Sequence, residues 1–241
     1  MLLVSKGADI NTRAKGLKNS LIMLAVEHNH RHIVKYLGNS DVNINFTDER
    51  DRTPLSVAIK NNNLDIVEIL VRFGANINPS SGESPLAIAI KRGNEDMIDF
   101  FLSEGSDPNG PPLTYAIKLR LPNIINKLVL HGAKINYKNV GMFVFKPRIQ
   151  FIGISPLEYA VMHGTYEIIK QLLDLCADID NMEYLTLVDI YEKYSKNYVL
   201  LFLDYPCNIS IKNGEGQTLL DLATRNNDHE IINKLQILSK Q

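Results

Sequence analysis

The 241-residue chain predicts an all-α fold: a solenoid of about six to seven helix-pair repeats with short β-turn fingers, starting within a partial repeat. Three observations carry that expectation. The stretch TPLSVAIKNNNLDIVEILVRFGANIN, residues 53–78, recurs along the chain with the same apolar positions. Each clear copy breaks once in its middle and once near its end, usually at Gly or Asn. The composition, 45% hydrophobic and 22% charged, belongs to a folded chain rather than a disordered one.

The copies run in order. SLIMLAVEHNHRHIVKYLGNSDVNIN (20–45) precedes the reference stretch; SPLAIAIKRGNEDMIDFFLSEGSDPN (84–109) and PPLTYAIKLRLPNIINKLVLHGAKIN (111–136) follow it. Then come SPLEYAVMHGTYEIIKQLLDLCADID (155–180), a blurred LTLVDIYEKYSKNYVLLFLDYPCNIS (185–210) and TLLDLATRNNDHEIINKLQIL (218–238). A small residue of the first helix recurs as Ala25, Ala58, Ala89, Ala116, Ala160 and Ala223, with Ile190 in the blurred copy. One domain, 1–241, is expected. It divides into a partial repeat at 1–19, repeats at about 20–52, 53–83, 84–110, 111–154 (insertion 137–153) and 155–184, a degenerate repeat at 185–217 and a cap at 218–241.

Each unit has a physical reading. Thr or Ser before Pro is an N-cap followed by the helical position where a missing N–H does no harm. Leu55 and Ala58 then share one face of a helix too short to stand without packed neighbours. Asn29, Asn62, Gly93, Gly164 and Asn227 end the first helix, since Gly and Asn tolerate the left-handed conformation. Arg120 and Tyr194 hold the equivalent place and are expected to be strained or locally different. The second helix carries Ile66, Val67, Ile69, Leu70 and Phe73 on a helical period and stops at Gly74, Gly105 or Gly132.

This pattern resembles the ankyrin repeat. Thr53-Pro54-Leu55-Ser56-Val57-Ala58 is similar to its T-P-L-H-x-A start, and Gly74-Ala75-Asn76-Ile77-Asn78 and Gly7-Ala8-Asp9-Ile10-Asn11 to its G-A-D-x-N ending. The resemblance implies a helix–turn–helix unit with a β-turn finger, stacked into a solenoid with a concave binding surface. The motif's His is replaced throughout, by Met23, Ser56, Ala87, Thr114, Glu158, Val188 and Asp221, so neighbouring turns are expected to be less well tied than in consensus repeats. Irregular copies and abundant Ile and Asn resemble the ankyrin proteins of intracellular bacteria such as rickettsiae or of large DNA viruses. A host protein is then the expected target.

Spacing distinguishes the copies. From Ala25 to Ala58, and again from Ile190 to Ala223, the period is the usual one for this repeat. From Ala89 to Ala116 it is shorter, because NGPPL (109–113) leaves almost nothing for a finger. From Ala116 to Ala160 it is longer by YKNVGMFVFKPRIQFIG (137–153). That insertion reads either as a lengthened finger folding its apolar face back, or as a projecting hairpin whose aromatics bind a partner.

Charge narrows the function. A net charge of −1 gives no global attraction to nucleic acid or acidic membrane, and no apolar run reaches the roughly 20 residues of a spanning helix. No Gly-rich phosphate loop, H-E-x-x-H or G-x-S-x-G appears, so no enzyme activity, cofactor or metal is expected. His28, His30 and His32 straddle a helix break and point apart. Cys176 and Cys207 read as buried or half-buried thiols in a reducing, cytoplasmic setting, or in the host cytosol after signal-independent export.

In the concave face implied by the resemblance, Arg50, Arg52, Lys60, Lys91, Arg92, Lys118 and Arg120 form a locally basic groove, while Asp65, Glu68, Glu95, Asp96, Asp99 and Glu104 collect on second helices. The function expected is therefore a protein–protein interaction module, monomeric, binding an acidic or phosphorylated protein segment. Its partner-binding residues are Arg52, Lys60, Lys91, Arg92 and Lys118 in the groove and Phe143, Phe145 and Arg148 in the insertion. Nucleic acid and membrane are not expected partners. The alternatives are an accessory or substrate-recruiting segment of a larger enzyme or adaptor extending upstream of Met1, and a decayed fragment with no partner.

Overall fold

A computed structural model describes residues 20–40, 42–80, 82–145, 148–182 and 185–240. The expected partial repeat at 1–19, with its Gly7–Asn11 ending, lies outside the described residues.

Each copy becomes a helix pair. The pairs are α1 (Leu21–Glu27) and α2 (Arg31–Gly38), α3 (Pro54–Lys60) and α4 (Leu64–Arg72), α5 (Pro85–Arg92) and α6 (Glu95–Ser103), and α7 (Pro111–Lys118) and α8 (Pro122–Leu130). After the insertion come α9 (Pro156–His163) and α10 (Tyr166–Asp174), α11 (Leu187–Lys193) and α12 (Lys196–Phe202), and α13 (Leu219–Arg225) and α14 (His229–Leu238). First helices start where the caps predict: the hydroxyls of Ser20, Thr53, Ser84, Ser155, Thr186 and Thr218 each accept the N–H of the residue three further on. In three of them the residue standing where the motif has His, namely Ser56, Glu158 or Asp221, bonds back to the cap's own N–H. The degenerate copy is a helix pair as well, entered one residue later, at Thr186 rather than Leu185, with Asp189 closing the same box.

Most helix ends follow the left-handed rule. Asn29, Asn62, Gly93, Arg120 and Asn227 take φ between 55° and 68°, and Gly74, Gly105 and Gly132 lie between 82° and 94°. Gly164 departs from the expectation: φ is −83°, and what fixes a glycine there is space, since a Cβ would meet the Ala160 carbonyl oxygen at 2.6 Å. Tyr194, at φ −121° and ψ −90°, is the locally different ending expected of it. Cys176 stands in the place of Gly74 and takes φ 63°. Pro206 stands in the same place one repeat later; its fixed negative φ forbids that ending, and α12 is seven residues long where α10 is nine.

The backbone divides into two compact units, Met1–Pro108 and Asn109–Gln241. In the first, α1, α3 and α5 pack side by side and α2 packs on α4. Leu55, Ile59, Ile66, Leu70, Leu86, Ile90, Met97 and Phe101 are buried between the two layers. In the second, α7 packs on α9 and α11 on α13, over Ile117, Ile125, Leu128, Ile169, Leu172, Val188 and Phe202. Ala58, Ala89, Ala116, Ala160 and Ala223 are wholly buried, as their place in each first helix requires.

The insertion adds a small sheet to the helical fold: β1 (Asn139–Phe145) pairs antiparallel with β2 (Arg148–Ile154), Phe143 opposite Gln150 and Phe145 opposite Arg148. Where Ala89 and Ala116 are closest in sequence, the finger is indeed absent, and α7 starts directly after the left-handed Gly110 at φ 75°.

Candidate functional site

A docking surface is only as good as the scaffold holding it, and here the scaffold is laced by amides. In the first unit, the Asn45 side chain donates to the Gly74 carbonyl at 3.0 Å and accepts the Asn76 N–H at 2.8 Å. Asn78 repeats the arrangement one copy on, to Gly105 at 3.0 Å and Asp107 at 2.8 Å. In the second unit Asn136 does so with Cys176 and Asp178, at 3.3 and 2.8 Å. Each bridge satisfies a donor and an acceptor left over by a helix ending in the next repeat. A second row sits at the inter-helix breaks of the first unit. Asn63 and Asn94 cap α4 and α6, and their amides reach the left-handed Asn29 and Asn62 at 3.2 and 2.5 Å. Glu158 ties the second unit differently: fully buried, it accepts the N–H of Leu185 at 3.1 Å. These contacts do some of the tying that the missing motif His implied was absent.

Two fingers are tight loops built on one acceptor each. Asp48 accepts the N–H groups of Arg50 and Arg52 at 2.9 and 2.8 Å; Asn213 accepts those of Glu215 and Gln217 at 3.0 and 2.9 Å. Asp51 and Gly216 make the same left-handed step in each loop. Burial alone would raise the Asp48 pKa, but the two N–H bonds and the Arg52 guanidinium outweigh it and hold the carboxyl below its ordinary value.

The sequence-named cations fall into two groups. Arg52 is half-buried and its guanidinium is committed to Asp48 at 2.7 Å and Glu27 at 3.0 Å, pinning the finger to the end of α1. Lys91 pairs with Glu83 at 2.8 Å. Lys60 and Arg92 are exposed in the first unit, and Lys118 and Arg120 in the second, with no ion pair among the described residues. On the finger side of the first unit a cleft of about 380 Å³ is lined by Asn, Ser and Thr together with Asp51 and Glu83, and by no cation among the described residues. The acidic expectation for second helices holds in part: Asp65 and Glu68 face Arg31, Lys35 and Arg72 across a cleft of about 410 Å³, with Arg31 on Asp65 at 2.9 Å. Phe143, Phe145 and Arg148 lie in the strands, and their side chains are outside the described residues.

The sequence reading missed a cluster in the second unit. Tyr115 and Lys118 of α7 act on Tyr159 and His163 of α9, whose rings lie 4.6 Å apart, and Leu119 caps α7 beside them in sequence. Burial, then the nearby Lys118 charge, pushes the His163 pKa down. Leu119 is 45% exposed and Tyr166, the first residue of α10, 41%. Its only sequence signal was an apolar residue at Leu119 where other copies have Asn61, Arg92 or Asn226.

No group of three or more metal-ligating side chains occurs among the described residues, and none of the described helices is long and apolar enough to cross a membrane. Cys176 is exposed, contrary to the buried reading, because it takes the surface position of the repeat's terminal glycine. Cys207 follows the expectation: half-buried, it stands where other copies have Ala75 or Ala177, and burial pushes its thiol to about 11.

Helix pairs with left-handed endings, finger turns and inter-repeat bridges define a repeat protein. The chain belongs to the ankyrin repeat family: ankyrin repeats in three copies match residues 1–81 and 74–139, and a further ankyrin repeat matches 153–181. An ankyrin repeat protein of Fowlpox virus (strain NVSL) is 31% identical over 175 residues, covering 68% of this chain and 49% of that protein. One of Acanthamoeba polyphaga mimivirus is 26% identical over 256 residues, covering 88% of this chain and 34% of its own length. The chain thus spans half or less of these viral relatives. The crystal structure of the human ASB11 ankyrin repeat domain superposes with a TM-score of 0.62 at 21% identity, covering 85% of this chain and 91% of that one, a likeness of fold. Ankyrin repeats are in general protein–protein interaction scaffolds without catalytic activity.

Proposed function

We propose that this chain binds a partner protein through its first helices and fingers, recognising acidic or phosphorylated segments with Lys60 and Arg92 in the first unit and, as a separate contact, with Lys118 in the second. The observation that carries the reading is that these cations stand exposed without ion pairs among the described residues, while Arg52 and Lys91 neutralise carboxylates of their own chain. An exposed unpaired cation gains a charge-assisted hydrogen bond on docking without first losing another. The bridged turns support this, because a surface already ordered loses little conformational entropy on association. Similarity to poxvirus and mimivirus proteins supports a host-cell partner; we take the binding form to be a monomer in the cytoplasm.

The test is charge reversal. Lys60→Glu, Arg92→Glu and Lys118→Glu together leave the far-ultraviolet circular dichroism unchanged and weaken capture of an acidic or phosphorylated partner by about a hundredfold, roughly one tenfold step per weakened contact beyond the first. Capture of that partner with unaltered affinity by the triple variant overturns the reading.

A further inference from the structure

We infer that Leu119, Arg120 and Tyr166, with Lys118 beside them, form a docking site in the second unit for a protein segment that carries a carboxylate next to an aliphatic or aromatic side chain. The inference rests on the binding role proposed above and names the chemistry of one contact within it.

Three observations converge. The first is exposure: Leu119 and Tyr166 are large, apolar and 45% and 41% exposed, at the break of one repeat and the start of the next repeat's second helix. The position of Leu119 is polar in other copies, as at Asn61, Arg92 and Asn226, whereas that of Tyr166 varies, with Leu64, Glu95, Pro122 and Lys196. Tyr and Arg are residue types enriched in binding hot spots, and Leu119 adds apolar area beside them.

The second is continuity. The two repeats meet here, since α7 packs on α9, Lys118 acts on His163, and Arg120 acts on Glu167, which adjoins Tyr166. Arg120 and Glu167 form no ion pair among the described residues; the Glu167 pKa is lowered first by its own backbone N–H and the Thr165 hydroxyl, and less by the Arg120 charge. Lys118 and Arg120 thus leave the patch short of negative charge, and the complementary group is a carboxylate.

The third is strain. Arg120 sits at φ 58°, in a place that Gly93 takes without penalty and Asn29, Asn62 and Asn227 with little. A bulky residue held left-handed where glycine would serve marks a position kept for its side chain.

The experiment uses fluorescence anisotropy with three labelled synthetic peptides: Asp and Glu alternating with Phe and Leu, the same peptide with Lys for every acid, and the acidic peptide with Ala for every apolar residue. A single-stranded oligonucleotide is the fourth probe. The first peptide is expected to bind best. Arg120→Gly is the decisive variant, because it relieves the strain and so folds: its melting midpoint rises by about 2–4 °C while affinity for that peptide falls about tenfold. Leu119→Ser with Tyr166→Ser gives a similar loss. A more stable Arg120→Gly protein with unchanged affinity overturns the site, as does equal or tighter binding of the lysine peptide or the oligonucleotide, or binding of none of the probes. Binding of the acidic peptide that is lost in Lys60→Glu/Arg92→Glu but not in Arg120→Gly sinks this site and leaves the broader reading standing.

Discussion

Single residues show how little slack the repeat leaves. The small side chain after four of the second helices is buried: Ala75, Ala133 and Ala177 fill the place, and in one copy Ser106 does, at 5% exposure. Its hydroxyl has no hydrogen-bond partner among the described residues. Serine is nearly isosteric with alanine, so the substitution changes no packing, only the desolvated hydroxyl. Ser106→Ala is therefore expected to stabilise the protein by about 1 kcal/mol, read from urea denaturation midpoints. An unchanged or lower midpoint would mean the hydroxyl has found a partner. Gly38 shows the opposite constraint, since a Cβ there would lie 2.3 Å from the Phe73 ring.

Among elements, the finger at residues 48–52 is the most instructive, because residues 213–217 build the same loop on an amide. Asn213 proves that a neutral acceptor suffices for the turn, so what Asp48 adds is its charge against Arg52, and through Arg52 the link to Glu27. The Asp48 side chain is 3% exposed, so solvent does little to screen that pair. With its folded pKa below the ordinary value near 4, its contribution is fully present above that value and is lost as pH falls through the lower folded one. Asp48→Asn is expected to cost about 1 kcal/mol at pH 7, a cost that shrinks as pH falls below the ordinary carboxylate value near 4, in paired denaturation curves. A deficit independent of pH would assign the loss to the turn instead of the ion pair.

At the scale of the whole chain, stability is a sum of repeats and of the contacts between neighbours within each unit. Much of this was legible in the sequence. Caps, left-handed endings, buried alanines and the absent finger follow from residue type at fixed spacing, and so does the left-handed Arg120. Other features were not legible. Gly164 was assigned to backbone conformation when a carbonyl's close approach is what requires it, and period alone cannot separate the two. The basic groove was read from cations without their partners: Asp48, Glu27 and Glu83 come to Arg52 and Lys91 only through folding. The proposed Leu119–Tyr166 patch takes residues from two consecutive repeats separated by the insertion, and its only local signal is the apolar Leu119.

The binding account requires a surface ordered before the partner arrives, and backbone hydrogen exchange of the free chain tests that most directly. The N–H groups of Asn76, Asp107 and Asp178 lie in turns, yet each is held by an Asn side chain from the preceding repeat. They are expected to exchange slower than an unstructured peptide by about two orders of magnitude or more, in step with the adjoining helices. Exchange at the rate of an open loop would mean the repeats are not braced, and a preordered docking surface could not be sustained.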